Sequence, residues 1–74
     1  MKYLIIFEKT KTGFSAYLPD LPGCVATGAT REETTKNIRE AIEFHIEGMI
    51  ADGKDPLPPN SFAEYHEPHV SIGR

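Results

Sequence analysis

A single cysteine, Cys24, occurs among the 74 residues, so an internal disulfide is excluded. The three histidines, His45, His66 and His69, stand at no spacing that builds a zinc site. His66 and His69 would share a face only on a helix, and Pro68 between them forbids one. A chain this short makes one domain with a small core, and without staples or a structural metal it gains stability most readily by associating with other chains. Basic residues are few as well: 8 Lys and Arg against 11 Asp and Glu leave a net charge of −3. Lys2, Lys9 and Lys11 lie near the first hairpin without interleaved aromatics, so the clustered basic footprint of a nucleic-acid binder is missing. An acidic surface suits a basic protein partner instead. Long hydrophobic runs are also lacking. The apolar stretch 4–7 is broken by Glu8, too short for a signal peptide or a membrane span, and a cytoplasmic location without membrane attachment is expected.

What is present begins with residues 2–8, rich in β-branched and aromatic types and read as a strand. Tyr3, Ile5 and Phe7 point one way, Leu4 and Ile6 the other. With both faces apolar, this strand is expected to be central in its sheet. Residues 9–13 make a polar hairpin connection ending in glycine, and 14–18 return antiparallel. Pro19, Asp20, Leu21, Pro22 and Gly23 then form a turn in which neither proline can sit inside a paired strand, while Gly23 suits the positive φ of a type II turn. Residues 24–29 read as a weaker strand, with Gly28 marking a bulge, an end or a close backbone approach. A helix follows over 31–52. Thr30 is its expected cap, with Glu33 reaching back to the cap's own N–H, and Gly53 and Pro56 stop it. Thr34, Ile38, Ala41, Ile42, His45, Ile46 and Met49 form its apolar stripe, and Lys36, Glu40, Glu43 and Glu47 the opposite face. Phe44 belongs to neither face. Residues 54–60 are a proline-stiffened connector; 61–64 read as a single helical turn and 69–72 as a possible fourth strand.

The expected architecture is therefore α+β: a small antiparallel sheet of three to four strands (β-β-β-α-β) with one helix packed on one face. It forms a single domain over 1–74, with its core in 1–53, the connector in 54–60 and the short turn and strand in 61–74. Leu4, Ile6 and Phe44, left over from that core, are candidate contacts of a homo-oligomer, a dimer or tetramer. His45 reads as a core or interface histidine, and Cys24 as a small buried strand residue, since nothing nearby lowers its pKa. Glu8 and Asp20 are the carboxylates to weigh for a Mg²⁺ site. A metal nuclease needs several convergent acids, and no third is placed near them, so no metal, cofactor or catalytic residue is expected. Asp20 reads better as an acceptor for turn N–H groups.

The string GFSAYLPDLPGC from Gly13 to Cys24, followed by GATREE from Gly28 to Glu33, NIREAI from Asn37 to Ile42, and Glu47-Gly48, resembles the HicB antitoxin family in residues and in spacing. The resemblance covers about residues 1–60. It implies a partial RNase H-like fold without that enzyme's catalytic acids. It also implies a partner, a small basic HicA-type toxin that cleaves mRNA through a catalytic histidine, which the antitoxin occludes. Fuller members add a C-terminal DNA-binding segment. About fifteen residues follow the connector here, so direct DNA binding by this chain alone is not expected. Tyr17, Asp20, Leu21, Glu40, Glu43 and Glu47 are the candidate partner-binding residues. The competing readings are a stand-alone RNase H-like domain that binds or hydrolyses RNA, and an orphan oligomeric scaffold.

Overall fold

The computed structural model describes residues 2–70. Three strands, β1 (Ile6–Lys9), β2 (Phe14–Tyr17) and β3 (Val25–Gly28), precede one helix, α1 (Arg31–Ala51). The strands form an antiparallel meander in the order β1-β2-β3. The α+β class thus holds, with three strands among the described residues.

Strand β1 is shorter than expected and sits at an edge, where the sequence pattern predicts a central strand. The cause lies across the ladder. Ile6 pairs with Tyr17, and two residues past Tyr17 the chain reaches Pro19, which has no N–H to donate. Residues 2–5 therefore run on without a strand to pair with. Tyr3, Ile5 and Phe7 still pack against the core, and the Tyr3 hydroxyl donates to the Leu57 carbonyl at 2.6 Å.

The turn after β2 is two β-turns in succession. The Leu21 N–H donates to Leu18 C=O at 3.3 Å, and the Cys24 N–H to Leu21 C=O at 3.1 Å. Pro19 and Pro22 each take the second position of a turn, where their fixed φ fits, and Gly23 takes φ 85° as the second turn requires. This folding tucks Leu18, Leu21 and Cys24 inward, where Ala16 and Ile38 complete the buried apolar core.

Helix α1 begins as a capped helix should: Thr30 Oγ1 accepts from the Glu33 N–H at 3.0 Å. The Glu33 carboxylate, expected on the Thr30 N–H, accepts instead from the Ala29 N–H at 2.7 Å, one residue earlier. It thereby ties the strand-to-helix joint to the first turn. Gly28 is needed at that joint, because a Cβ there would lie 2.5 Å from Thr34 Oγ1 and 2.7 Å from the Thr34 N. At the far end Lys54 N–H donates to Met49 C=O and Gly53 N–H to Ile50 C=O, with Gly53 at φ 74°, a Schellman stop. The helix lays Thr34 and Ile38, both fully buried, onto β2 and β3.

Residues 61–64 do not form a helical turn. Ser61, the expected cap, spends its N–H and its hydroxyl on Asp20, and the chain stays extended. Of the possible fourth strand, His69 and Val70 lie in a bend, and 71–72 fall outside the described residues.

Thr30→Ala is expected to lower stability by about 1 kcal/mol through loss of the cap. Gly28→Ala should cost more, since the added methyl is driven into the backbone of Thr34. Urea denaturation midpoints, with Thr30→Ala the milder of the two, check both.

Candidate protein-binding surface

Among the described residues, the sheet has one face under the helix and one without a covering element. On the open face the register aligns Ile6, Tyr17 and Val25 in a single row across all three strands. Tyr17 is 36% exposed and Val25 64%, while Ile6 is half-buried. The next row, Glu8, Ser15 and Thr27, is polar. Cross-strand neighbours of this kind lie about 5 Å apart, so the first row is a continuous apolar ridge bordered by hydrogen-bonding groups. That combination fits a protein contact better than a small-molecule site. Val25 was not foreseen as part of this surface. Its alternation with buried Cys24 is the signal that points to it.

The other sequence-predicted residues fall elsewhere. Leu21 is 2% exposed, a core side chain rather than a contact. The two successive turns fold it under. Asp20 is engaged within the chain. Its Oδ2 accepts from the N–H groups of Asn60 and Ser61, and its Oδ1 from the Ser61 hydroxyl, each at 3.0 Å. These are connector groups 40 residues away, where the sequence suggests N–H groups of the turn itself. Glu40, Glu43 and Glu47 are all exposed on the side of α1 away from the sheet. They form an acidic ridge separate from the apolar row. Leu4 and Ile6 are half-buried, and Phe44 is 79% exposed beside a groove between α1 and the start of β3 that also holds His45 and Met49.

No pair of these residues makes a catalytic constellation. Glu8 pairs with Ser15 near the hairpin end of the sheet, whereas Asp20 lies beyond Tyr17 at the opposite end. Among the described residues no group of three or more His, Cys, Asp or Glu converges as a metal site. Burial pushes the Cys24 thiol pKa up, which opposes formation of the nucleophilic thiolate. His66 is exposed on the extended tail and His69 in the bend after it. Among the described residues no helix is long and apolar enough to cross a membrane.

The Asn60 N–H, then the Ser61 N–H, hold the Asp20 pKa below the ordinary carboxylate value; partial desolvation opposes them and the Ser61 hydroxyl adds to them. Because folding lowers this pKa, ionised Asp20 stabilises the docked connector above the unfolded-state pKa, and that contribution is lost as pH falls through the lower folded value. The protection of the Asn60 and Ser61 amides against exchange, taken relative to their intrinsic rates, is therefore expected to fall in that acid window. In Asp20→Asn it should be lost at neutral pH too, while protection in α1 remains.

Residues 3–70 match a family model described as HicB_like antitoxin of bacterial toxin-antitoxin system. An uncharacterised 14.9 kDa protein from the rep-hol intergenic region of Haemophilus phage HP1 is 42% identical over 65 residues, covering 88% of this chain and 49% of the phage protein. A protein of Photorhabdus laumondii named Antitoxin HicB 2 is 29% identical, covering 97% of this chain and 52% of its own. The chain thus spans about half the length of each of these relatives. A chain in the solved structure of a HicA3 and HicB3 toxin-antitoxin complex superposes with a TM-score of 0.68 at 40% identity, covering 80% of this chain and 70% of that one. With its two-turn PDLPGC link, its capped GATREE joint and its meander under one helix, the chain belongs to the HicB-like antitoxin family.

Proposed function

We propose that this chain is the antitoxin of a toxin–antitoxin pair and neutralises a small, basic, mRNA-cleaving HicA-type toxin in the cytoplasm by covering its active surface. The observation that carries the reading is the likeness, at 40% identity, to a chain in the HicA3–HicB3 complex. The surfaces support it physically. The acidic ridge of Glu40, Glu43 and Glu47 attracts a basic protein at long range, and the apolar row of Ile6, Tyr17 and Val25 offers a desolvated contact with an aromatic at its centre. In this reading the protein has no catalysis of its own, and it binds the toxin rather than the toxin's RNA.

A stand-alone nuclease is disfavoured by the placement of its carboxylates: Glu8 and Asp20 sit at opposite ends of the β1–β2 ladder, and the Asp20 oxygens are taken by Asn60 and Ser61. The chain should inhibit RNA cleavage by the short basic product of the neighbouring gene as their ratio approaches a fixed stoichiometry. Absence of any complex with that product would remove the reading.

The two surfaces should separate kinetically. Reversing Glu40, Glu43 and Glu47 to lysine is expected to slow association, with the effect fading as the Debye length falls from ~30 Å at 0.01 M salt to ~8 Å at 0.15 M. Tyr17→Asp should instead speed dissociation by about tenfold or more, the consequence of losing an anchor and burying an unpaired charge. Association and dissociation rates at the two salt concentrations check both. An on-rate untouched by the triple reversal at low salt would make the ridge a solvated surface only.

A further inference from the structure

The groove beside Phe44 is shaped by a glycine that the chain itself does not need. It measures about 440 Å³ and runs between α1 and the start of β3, with Cys24 and Val25 on one wall and Ala41, Phe44, Gly48 and Met49 on the other. Cys24 is buried and Ala41 and Met49 are half-buried, so the floor is apolar. Phe44, at the lip, is the most exposed apolar side chain of α1.

Gly48 lies in the last turn of the helix. Its φ is not positive, so no left-handed backbone calls for glycine there. Apart from the helix's own backbone, nothing of the chain stands within 4 Å of where its Cβ would be. Glycine inside a helix is less favourable than alanine, so the position carries a cost that packing within the chain does not explain. Close approach of another chain does explain it.

Charge narrows the choice of that chain. Asp52 lines the groove, and no lysine or arginine does. Glu40 and Glu47 stand one helical turn before and after Phe44, so the acidic ridge borders the groove's lip. Val25 belongs both to the groove and to the row on the open face of the sheet. Apolar surface therefore continues from Tyr17 round β3 to Phe44.

We propose that an apolar side chain on a basic segment of the toxin seats over Gly48, between Phe44 and Val25. The contact that starts on Ile6, Tyr17 and Val25 then extends round β3 onto α1, and the cations flanking the inserted side chain meet Asp52 and the ridge. This rests on the antitoxin reading and adds to it the place where the toxin is held. It makes Phe44 a toxin contact rather than a contact between copies of this chain.

The test sets stability against binding. Gly48→Ala should raise the urea midpoint, because the methyl has room within the chain and alanine favours the helix, yet it should weaken binding of the neighbouring gene's basic product. Gly48→Leu and Phe44→Ser should each raise the Kd for that product by about tenfold or more, with helical circular dichroism unchanged. A purely structural role for Gly48 would move stability and leave the Kd alone. If the parent chain binds the product and both Gly48→Leu and Phe44→Ser bind as tightly, the groove proposal falls and the antitoxin reading stands. A parent chain that forms no complex removes both. Phe44→Ser that alters self-association in sedimentation equilibrium without altering the Kd would give the groove to a second copy and overturn the proposal.

Discussion

Pro19 has no N–H, and much of this structure follows from that absence. The strand before it must end at Tyr17, so its partner β1 can pair no further back than Ile6. The residues that follow turn twice within seven positions, and this double turn supplies Leu18, Leu21 and Cys24, three of the five buried apolar side chains. A link that reads as surface loop is the larger part of the core. Asp20, at the bend between the two turns, is left at the rim with its carboxylate free to accept, and the connector's N–H groups at Asn60 and Ser61 fill it. One imino acid thus shortens the sheet, builds the core and positions the group that holds the second half of the chain.

The same economy leaves the molecule with more apolar surface than it can bury. Five small or medium side chains are a thin core for 74 residues, and Val25, Phe44, Ile50 and Tyr65 remain outside it. Single exposed apolar residues mean little, but aligned ones carry more weight. Ile6, Tyr17 and Val25 stand in one cross-strand row because the register puts them there, not because the sequence clusters them. An aligned row of this kind is the surface that the proposed toxin contact would use.

The locally determined features are legible in the sequence. The helix start at Thr30, its stop at Gly53, the buried stripe and the type II turn at Gly23 each depend on residues within one or two turns of each other. What escaped reading was set at a distance. The edge position of β1 depends on the length of another strand. The burial of Leu21 depends on a double turn whose sense of curl no single residue encodes. The partner of Asp20 lies 40 residues on, and Ser61 looked like a helix cap because the carboxylate that outcompetes its own backbone is invisible in its neighbourhood. Even the capping carboxylate of Glu33 went one residue astray, to Ala29, since Thr30's own N–H and its neighbour's are equally near in sequence. For the candidate surface, Tyr17 and Val25 are both readable from strand alternation, whereas their alignment with Ile6 in one row required the register.

The surfaces also lie on different sides, which bears on how they can work together. The acidic ridge is on the back of α1, the apolar row on the opposite face of the sheet, and the open edge of β1 runs between them. At 0.01 M salt, where the Debye length is ~30 Å, a ridge on the far side of a thin two-layer body still biases approach to the sheet face, and at 0.15 M, where it is ~8 Å, that bias is largely screened. The body is thin, 16 Å along its shortest axis. A partner drawn by the ridge need not bind to it, and the contact that holds the complex is free to be apolar. Ile6 is the one side chain shared by the β1 edge and the row, so a partner seated on Tyr17 would meet the edge of the sheet there.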